Sequence, residues 1–278
     1  MTNPVNQARE ALGRRLRELR RDASITGRHL AAVAGWHESK VSRIEYGKQT
    51  PSEDDLRAWC EHTGQLNQLP DLIATLRNIE ASYMEWKRVL GIGTRRRQKM
   101  SLQLEGDTRA LRWYEPTIVP GLLQTAEYAA GILSKIISFY EIPDDLADGV
   151  AARMERQRVL YQGNRKFSFI IGEQVLHTTV GDNGVMLGQL DRLLTVMSLP
   201  RVVIGIVPAS AAYDGPATNG FSIFDHRLVQ VETVTAELSV KQPREIALYE
   251  RMFNVLNQQA VYGDRARELI SAAADSRR

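Results

Sequence analysis

The side chains in this chain best suited to specific chemistry form a polar cluster between positions 38 and 43. Its members are Glu38, Ser39, Lys40, Ser42 and Arg43. Together they can donate and accept hydrogen bonds, as the base edges in the major groove of DNA require. Val41 and Ile44 lie three positions apart in the same segment. This spacing predicts a helix over residues 37–46, with one face in a core and the polar side chains on the other.

A second helix is expected just before this segment. It is predicted over residues 27–34, with the Thr26 hydroxyl as its N-cap. Its inward residues are expected to be Leu30, Ala31 and Val33. Gly35 ends the helix because glycine readily adopts positive φ, and Trp36 is expected to be buried in the turn. Two short helices joined by a tight glycine turn, the second polar on one side, are typical of a helix-turn-helix unit.

Helices on either side complete a small domain. Residues 5–21 predict a helix because Leu12, Leu16 and Leu19 recur at spacings of four and three. Ser52, followed three positions later by Asp55, resembles a capping box and predicts the start of a fourth helix. Its inward residues are expected to be Leu56, Trp59 and Cys60. We therefore predict an all-α helix-turn-helix domain over residues 1–65.

Composition bounds the class of protein. A chain of 278 residues fits two domains, and its single cysteine, Cys60, allows no intrachain disulfide. Residues 1–100 carry 18 Lys/Arg against 12 Asp/Glu, which favours nucleic-acid binding, although basic faces are often only solvated. The sequence lacks an apolar run of about 18 residues and a signal-peptide core. We expect a cytoplasmic, nucleoid-associated protein with no membrane contact.

The N-terminal segment also resembles a known family. The run LGRRLRELR…ITGRHLAAVAGWHESKVSRIEYGKQTPSEDDLRAWCEHTG is similar to the Xre and phage-repressor helix-turn-helix proteins, and VSRIEYGKQTPS is its most specific part. The resemblance implies base-reading roles for Glu38, Ser39 and Arg43. It implies phosphate contacts for Lys40, Ser42, Tyr46 and Lys48. It also implies a structural ion pair between Arg20 and Glu45.

The sequence departs from that family at the start of the second helix. Gly27 stands where relatives often place a phosphate-binding glutamine. Arg28 is expected to supply this contact instead, beside Thr26. Because some helix-turn-helix folds only contact proteins, that role remains the alternative to DNA binding.

The rest of the chain predicts a linker and a second domain. Residues 66–90 are expected to form a helix, followed by a basic hinge, GIGTRRRQKM, which closes a linker over residues 66–100. Residues 101–278 are expected to form an α+β domain with a small sheet. Its predicted helices are 122–133, 150–161, 184–199 and 244–274, and its predicted strands are 166–173, 201–208, 221–225 and 228–234.

This second domain resembles a C-terminal domain of unknown function found in WhiJ-like and antitoxin-like regulators of actinobacteria. The resemblance rests on LEGDTRALRWYEPTIVPGLLQTAEYA, ARMERQRVL, FIIGEQVLHTTVG and IGIVPASAAYDGPATNGFSIFD, which follow in that order. Genes of this family often adjoin a gene for a small protein, so the resemblance implies a small partner protein. It assigns no ligand-binding or catalytic residue.

No enzymatic motif is present, so we expect no catalytic activity, no cofactor and no metal site. The best candidates for a partner or ligand site are Arg153, Arg156 and Gln157, together with Tyr213 and Asp214 in the loop 208–220. The arginines could clamp an acidic group or pair internally, and the loop could line a pocket or simply be solvated. Glu173 and His177, four apart, could form an acid–base pair or an ordinary surface pair.

Taken together, these patterns predict a transcriptional regulator that binds a palindromic operator in double-stranded DNA as a homodimer. We expect a partner protein or a ligand to control it. One alternative is an antitoxin-like protein that mainly binds its small partner and whose DNA binding is autoregulatory. Another is an enzyme with a regulatory DNA-binding domain.

Overall fold

The computed structural model describes residues 4–85, 89–91, 93–212, 214–216 and 219–278. The chain divides into two compact units, Met1–Tyr83 and Met84–Arg278, here called the N-terminal and C-terminal units. The N-terminal unit is helical and the C-terminal unit is α+β, which confirms the predicted fold classes.

Five helices make up the described part of the N-terminal unit. They are α1 (Pro4–Asp22), α2 (Gly27–Val33), α3 (Glu38–Glu45), α4 (Glu53–Thr63) and α5 (Leu69–Ser82). At the centre lies Trp59, which is fully buried and donates a hydrogen bond from its indole nitrogen to the Leu16 carbonyl oxygen at 3.0 Å. Leu69, Leu72 and Leu76 of α5 join the same core. The first compact unit therefore extends past residue 65, through the helix that was predicted to be part of a linker.

Local hydrogen bonds explain where these helices begin. The Thr26 hydroxyl accepts from the His29 amide at 3.1 Å and caps α2. Ser52 and Asp55 form a reciprocal capping box at the start of α4. His37 caps α3, since its Nδ1 accepts from the Ser39 amide.

Close packing of α1 against α3 depends on Gly13. A Cβ atom built at this position would lie 2.4 Å from the Ile44 carbonyl oxygen, closer than any side chain can approach. Glycine here therefore lets the two backbones meet and fixes the position of α3 on α1.

Two predictions about the turn were wrong. Val33 is 44% exposed, because at about 100° per residue it points away from the arc that Leu30 and Ala31 bury. Trp36 is half-buried instead of fully buried. Its ring packs against Trp59 with centroids 6.0 Å apart.

The C-terminal unit contains seven helices in the residues that the structure describes. They are α6 (Thr94–Gly106), α7 (Ala126–Tyr140), α8 (Leu146–Arg156), α9 (Gln174–His177), α10 (Asn183–Val196), α11 (Pro243–Gln259) and α12 (Gly263–Asp275). The predicted helix 244–274 is thus two helices. They are separated because Val261 leaves the helix to exchange backbone hydrogen bonds with Ile206.

The described strands form one mixed sheet. They are β1 (Tyr83–Glu85), β2 (Ala110–Glu115), β3 (Lys166–Gly172), β4 (Val202–Val207), β5 (Phe221–Phe224), β6 (Leu228–Glu232) and β7 (Ala236–Val240). Their order across the sheet is β1-β7-β6-β5-β2-β3-β4. Strands β2, β3 and β4 run parallel, whereas β5, β6 and β7 pair antiparallel in succession, starting on the free side of β2.

Alternating residues of the central strands bury both faces of this sheet. Phe169 of β3 joins the core formed with α7, α10 and α12, and the next residue, Ile170, joins the core formed with α11. Both faces are therefore covered, which explains why the central strands are nearly continuous apolar runs.

The predicted basic hinge is wrong over residues 94–100, because these residues begin α6. The Asp145 carboxylate holds the start of the helix by accepting from the Thr94 and Arg95 amides at 2.9 and 2.8 Å. These bonds keep the pKa of Asp145 low, despite some burial that acts in the opposite direction. Arg97 points into the unit and forms an ion pair with the buried Glu237.

Candidate functional site

Helix α3 presents an exposed polar face, here called the recognition face. It consists of Glu38, Ser39, Ser42 and Arg43, all solvent-exposed. Val41 and Ile44 on the opposite side are buried in the core of the N-terminal unit. The recognition face is therefore held on a packed support and open to a partner.

Arg20 and Glu45 connect α3 to α1. The Arg20 Nε and Nη2 atoms donate to the two carboxylate oxygens of Glu45 at 2.6 and 3.1 Å, and Nη1 donates to the Ile25 carbonyl oxygen at 2.8 Å. Both side chains are largely buried. Because the guanidinium joins three segments at once, it orients α3 and is not available to DNA.

Lys40 does not fit the phosphate-contacting role implied for it. Its ammonium donates to the Asp55 carboxylate at 2.6 Å and lies 4.6 Å from the centre of the Trp36 ring. Asp55 is itself held by the capping box of α4. Since its charge is already paired, we remove Lys40 from the set of phosphate contacts.

Two other implied DNA contacts pair with each other across the turn. Arg28 Nε donates to the Glu38 carboxylate at 2.8 Å, and both side chains are mostly exposed. An ion pair this exposed contributes little stability, about 0–1 kcal/mol. Both groups can therefore exchange this contact for one to DNA.

The remaining implied phosphate contacts flank the recognition face. Tyr46 is 55% exposed and packs under the Arg17 guanidinium at 5.2 Å, and Lys48 is exposed. The Thr26 hydroxyl already accepts the α2 cap bond. Arg17 is a cation near this surface that sequence reasoning did not select, because the arginines of α1 occupy several faces of that helix.

A second candidate site is a cavity of about 280 Å³ inside the C-terminal unit. Its walls come from α6, α7, α8 and strands β2, β5 and β6. Arg153 and Arg156 line it and are only 8% and 6% exposed. The sequence left open whether these arginines clamp an acidic group or pair internally, and the packing of α8 against α6, which turns both inward, favours internal pairing.

The two arginines differ in their partners. Arg156 donates to the buried Glu105 carboxylate, with Nε at 2.7 Å, and to the Gln98 side-chain oxygen at 3.0 Å. Arg153 donates to the side-chain oxygens of Gln124 and Gln98, at 2.7 and 3.4 Å. Arg156 thus has an anionic partner, whereas Arg153 has only neutral ones.

This arrangement perturbs two ionisable groups in opposite directions. Desolvation by burial, then repulsion from Arg156, lowers the pKa of Arg153 to about 9. Burial, then repulsion from Glu232, raises the pKa of Glu115 to about 8, although the Trp113 indole donates to it at 3.0 Å. Glu115 is enclosed by protein yet keeps part of its surface accessible, because it borders the cavity.

The other candidate residues that the sequence suggested are not among the described residues that line this cavity. Gln157 fixes the loop before α7 by donating to the carbonyl oxygens of Gly121 and Gln124 at 3.2 and 2.7 Å. Asp214 is exposed and accepts from Gln259 at 2.9 Å, and Tyr213 falls outside the described residues. Glu173 accepts from the Ala209 amide at 2.7 Å, so its carboxylate is directed toward that loop.

The described residues offer neither a metal site nor a membrane span. They contain no group of three or more His, Cys, Asp or Glu side chains placed to hold a metal ion. No helix among them combines the length and the apolar character needed to cross a membrane.

Two compact units, one presenting an exposed polar helix and one enclosing a cavity, define a helix-turn-helix protein with an appended α+β domain. A family model described as a helix-turn-helix domain matches residues 11–71. A second, described as a domain of unknown function (DUF5753), matches residues 98–272. This second match covers more than half of the chain, which therefore belongs to the DUF5753 family.

Solved structures add little to this assignment. NucT from Helicobacter pylori is 11% identical with a TM-score of 0.33, over 65% of this chain and 96% of its own. TrmBL2, described as an archaeal chromatin protein with a novel mode of DNA binding, has the same identity and TM-score over 86% of this chain and 88% of its own. Likeness at this level supports no functional conclusion. No curated protein matches the chain.

Proposed function

We propose that this protein binds double-stranded DNA sequence-specifically and acts as a transcriptional regulator of the Xre type. The observation that carries the proposal is the recognition face, which is exposed while Val41 and Ile44 of the same helix are buried. A helix held in this way, with both donors and acceptors outward, suits insertion into the major groove.

The proposed contacts fall into two sets. Glu38, Ser39 and Arg43 read base edges, with Arg43 suited to bidentate pairing with guanine. The phosphate contacts are Thr26, Arg28, Ser42, Tyr46 and Lys48. Within this set Arg28 and Lys48 supply the positive charge, and they therefore govern the salt dependence of binding.

We further propose that the protein acts in the cytoplasm as a homodimer on a palindromic operator, without enzymatic activity. Control by a small partner protein is supported by the resemblance of the C-terminal unit to antitoxin-like regulators. A two-fold symmetric protein would place its half-sites about one helical turn apart.

Fluorescence anisotropy tests the proposal directly. The wild-type chain is titrated onto a labelled duplex from the region upstream of its own gene, and onto a scrambled duplex of equal length and composition. We expect much tighter binding to the first duplex. Equal affinity for both, or no binding to either, would contradict sequence-specific binding.

Two variants sharpen the measurement. Arg43→Ala should lower affinity for the upstream duplex, whereas Arg265→Ala should leave it unchanged. Arg265 is an exposed arginine on α12, so its replacement removes the same charge and leaves every residue of the recognition face unchanged. Repeating both titrations with the neighbouring small protein tests partner control.

A further inference from the structure

Among the residues that the structure describes, one cation in the cavity of the C-terminal unit has no carboxylate in direct contact. Three arginines line it, and two of them pair with carboxylates: Arg97 with Glu237 and Arg156 with Glu105. For Arg153, no carboxylate oxygen of the described residues lies within 4.0 Å, and its two hydrogen bonds go to glutamine oxygens. Arg153 is therefore a buried positive charge with no carboxylate in direct contact, and Glu232 and Glu105 stabilise it only from farther away.

Arg153 also has hydrogen-bonding capacity to spare. A guanidinium carries five N–H donors, and the described bonds use only Nε and Nη1. Gly121 lies beside both arginines, since a Cβ at that position would make ordinary contacts with Arg156 Nη1 at 3.8 Å and Arg153 Cζ at 3.9 Å.

A buried unpaired charge is costly, and replacing it with an apolar side chain often stabilises a protein. Such a group in a cavity with a perturbed pKa is therefore more typical of a binding site than of a structural core. The two glutamines support this view. They orient the guanidinium through their oxygens without cancelling its charge.

The rest of the cavity suggests what would bind there. Glu115 borders it and accepts from the Trp113 indole, and its pKa, raised to about 8 mainly by burial, favours the protonated side chain at neutral pH. It can then donate a hydrogen bond to a ligand oxygen. Ile132, Ile136 and Phe221 supply apolar surface. A volume of about 280 Å³ suits a metabolite, not a polymer.

We propose that this cavity binds a small organic acid with an apolar body, whose carboxylate pairs with Arg153. The ligand's anionic group supplies the carboxylate contact that Arg153 lacks among the described residues, and its body lies on the apolar wall. Glu115 donates to a second oxygen where the ligand has one.

This inference deepens the proposed function and rests on it in one respect only, that the acid would be the effector of regulation. Ligand binding itself is measured without DNA. A protein that binds the probe but no DNA would keep the cavity site and lose the proposed regulatory role.

The experiment uses the full chain and three probe acids: hexanoate, phenylacetate and 3-phenylpropanoate. Each is compared with its primary amide by calorimetric titration and by thermal denaturation. The amide matches the acid in shape but carries no charge. We expect at least one acid to bind with one-to-one stoichiometry and to raise Tm, and its amide to bind about 10- to 100-fold more weakly.

Arg153→Met separates a binding role from a structural one. This variant removes the charge while keeping length and apolar contacts, so we expect it to lose acid binding while it stays folded, with only a modest fall in ligand-free Tm because the Gln124 oxygen loses its donor. Arg265→Met, on the surface, should bind as the wild type does. Phenylalanine as a fourth probe shows whether an added ammonium group is accepted near Glu115.

Three results would overturn the proposal. They are no binding of any of the three acids to the wild type, equal binding of an acid and its amide, and unchanged acid affinity in Arg153→Met. A large fall in the ligand-free Tm of Arg153→Met would likewise count against it, since it would show that the arginine supports the fold.

Discussion

Arg20 of α1 and Glu45 of α3 form a bidentate ion pair at 2.6 and 3.1 Å, largely buried beneath the recognition face. The same guanidinium also bonds to the Ile25 carbonyl oxygen just before α2. One side chain thus sets the mutual position of the two helices of the helix-turn-helix motif and the helix that supports them.

Removing only one member of this pair should loosen α3. Arg20→Met leaves the Glu45 carboxylate buried, with only the more distant Arg17 nearby, and we expect a loss of about 3 kcal/mol. Hydrogen exchange of α3 amides, followed by mass spectrometry, should then be about a hundredfold faster. The double variant Arg20→Met with Glu45→Leu should recover most of the protection. An equal loss in both variants would show that the pair has no special role.

Arg43 and Lys48 should differ in how their loss affects DNA binding. Arg43→Ala should cost about 1–3 kcal/mol on the preferred duplex and relax its sequence preference. Lys48→Ala should weaken all duplexes alike and reduce the slope of log affinity against log salt by about 0.9. Anisotropy titrations at several salt concentrations measure both quantities. If the two variants behave identically, the division into base and phosphate contacts is wrong.

Replacing Lys40 tests whether its ammonium group serves the ion pair with Asp55 and not a contact to DNA. Lys40→Met should destabilise the N-terminal unit by about 2 kcal/mol, because Asp55 loses a charged hydrogen bond. The salt slope of DNA binding should not change, since Lys40 contacts no phosphate. Lys48→Met is the matched control. It should reduce the salt slope and alter the stability by no more than about 0.5 kcal/mol. A reduced salt slope in Lys40→Met would restore Lys40 to the phosphate contacts.

Glu115 should make the C-terminal unit less stable as the pH rises. Its pKa is about 8 in the folded protein against an ordinary value of 4.5, so between these values the folded state binds more protons than the unfolded state. Stability is full below about pH 4.5 and falls as the pH rises through 8, by at most about 1.4 kcal/mol per pH unit.

The matched variant for this test is Glu115→Gln, which keeps the shape and cannot titrate. Thermal denaturation of both proteins between about pH 5 and 8.5 should show Tm falling further in the wild type. Burial also raises the pKa of Glu237, but this contribution is common to both proteins and cancels in the comparison. Parallel Tm curves would rule out a raised Glu115 pKa.

The helix-turn-helix unit was predictable because its signals are local. Leu12, Leu16 and Leu19 repeat along one helix, and Thr26 and Ser52 cap helices within three residues of themselves. Such patterns depend on neighbours in the chain, so their meaning does not change with the tertiary fold.

The C-terminal unit was harder to predict because its signals are not local. Strand β2 went unrecognised, since Arg112 and Glu115 interrupt its apolar residues and the partner of Arg112, Glu250, lies far along the chain. The charged face of α8 left two interpretations open, a clamp for an acidic group and internal pairing. Glu105, which pairs with the buried Arg156, lies 51 positions away on another helix. Short-range periodicity carries no information about such a partner.

The position of β2 in the sheet has a consequence for biosynthesis. Leu111 of β2 pairs with Phe224 of β5, which follows more than a hundred residues later in the chain. This edge of β2 therefore has no partner strand until those residues have been synthesised. The described core of the N-terminal unit is built from residues between Ala8 and Leu76, so this unit can fold on the emerging chain well before that. Because β2 and β5 both wall the cavity, the cavity closes only near the end of translation. A protein truncated before β5 would therefore contain a folded helix-turn-helix unit but would lack the cavity beside Arg153.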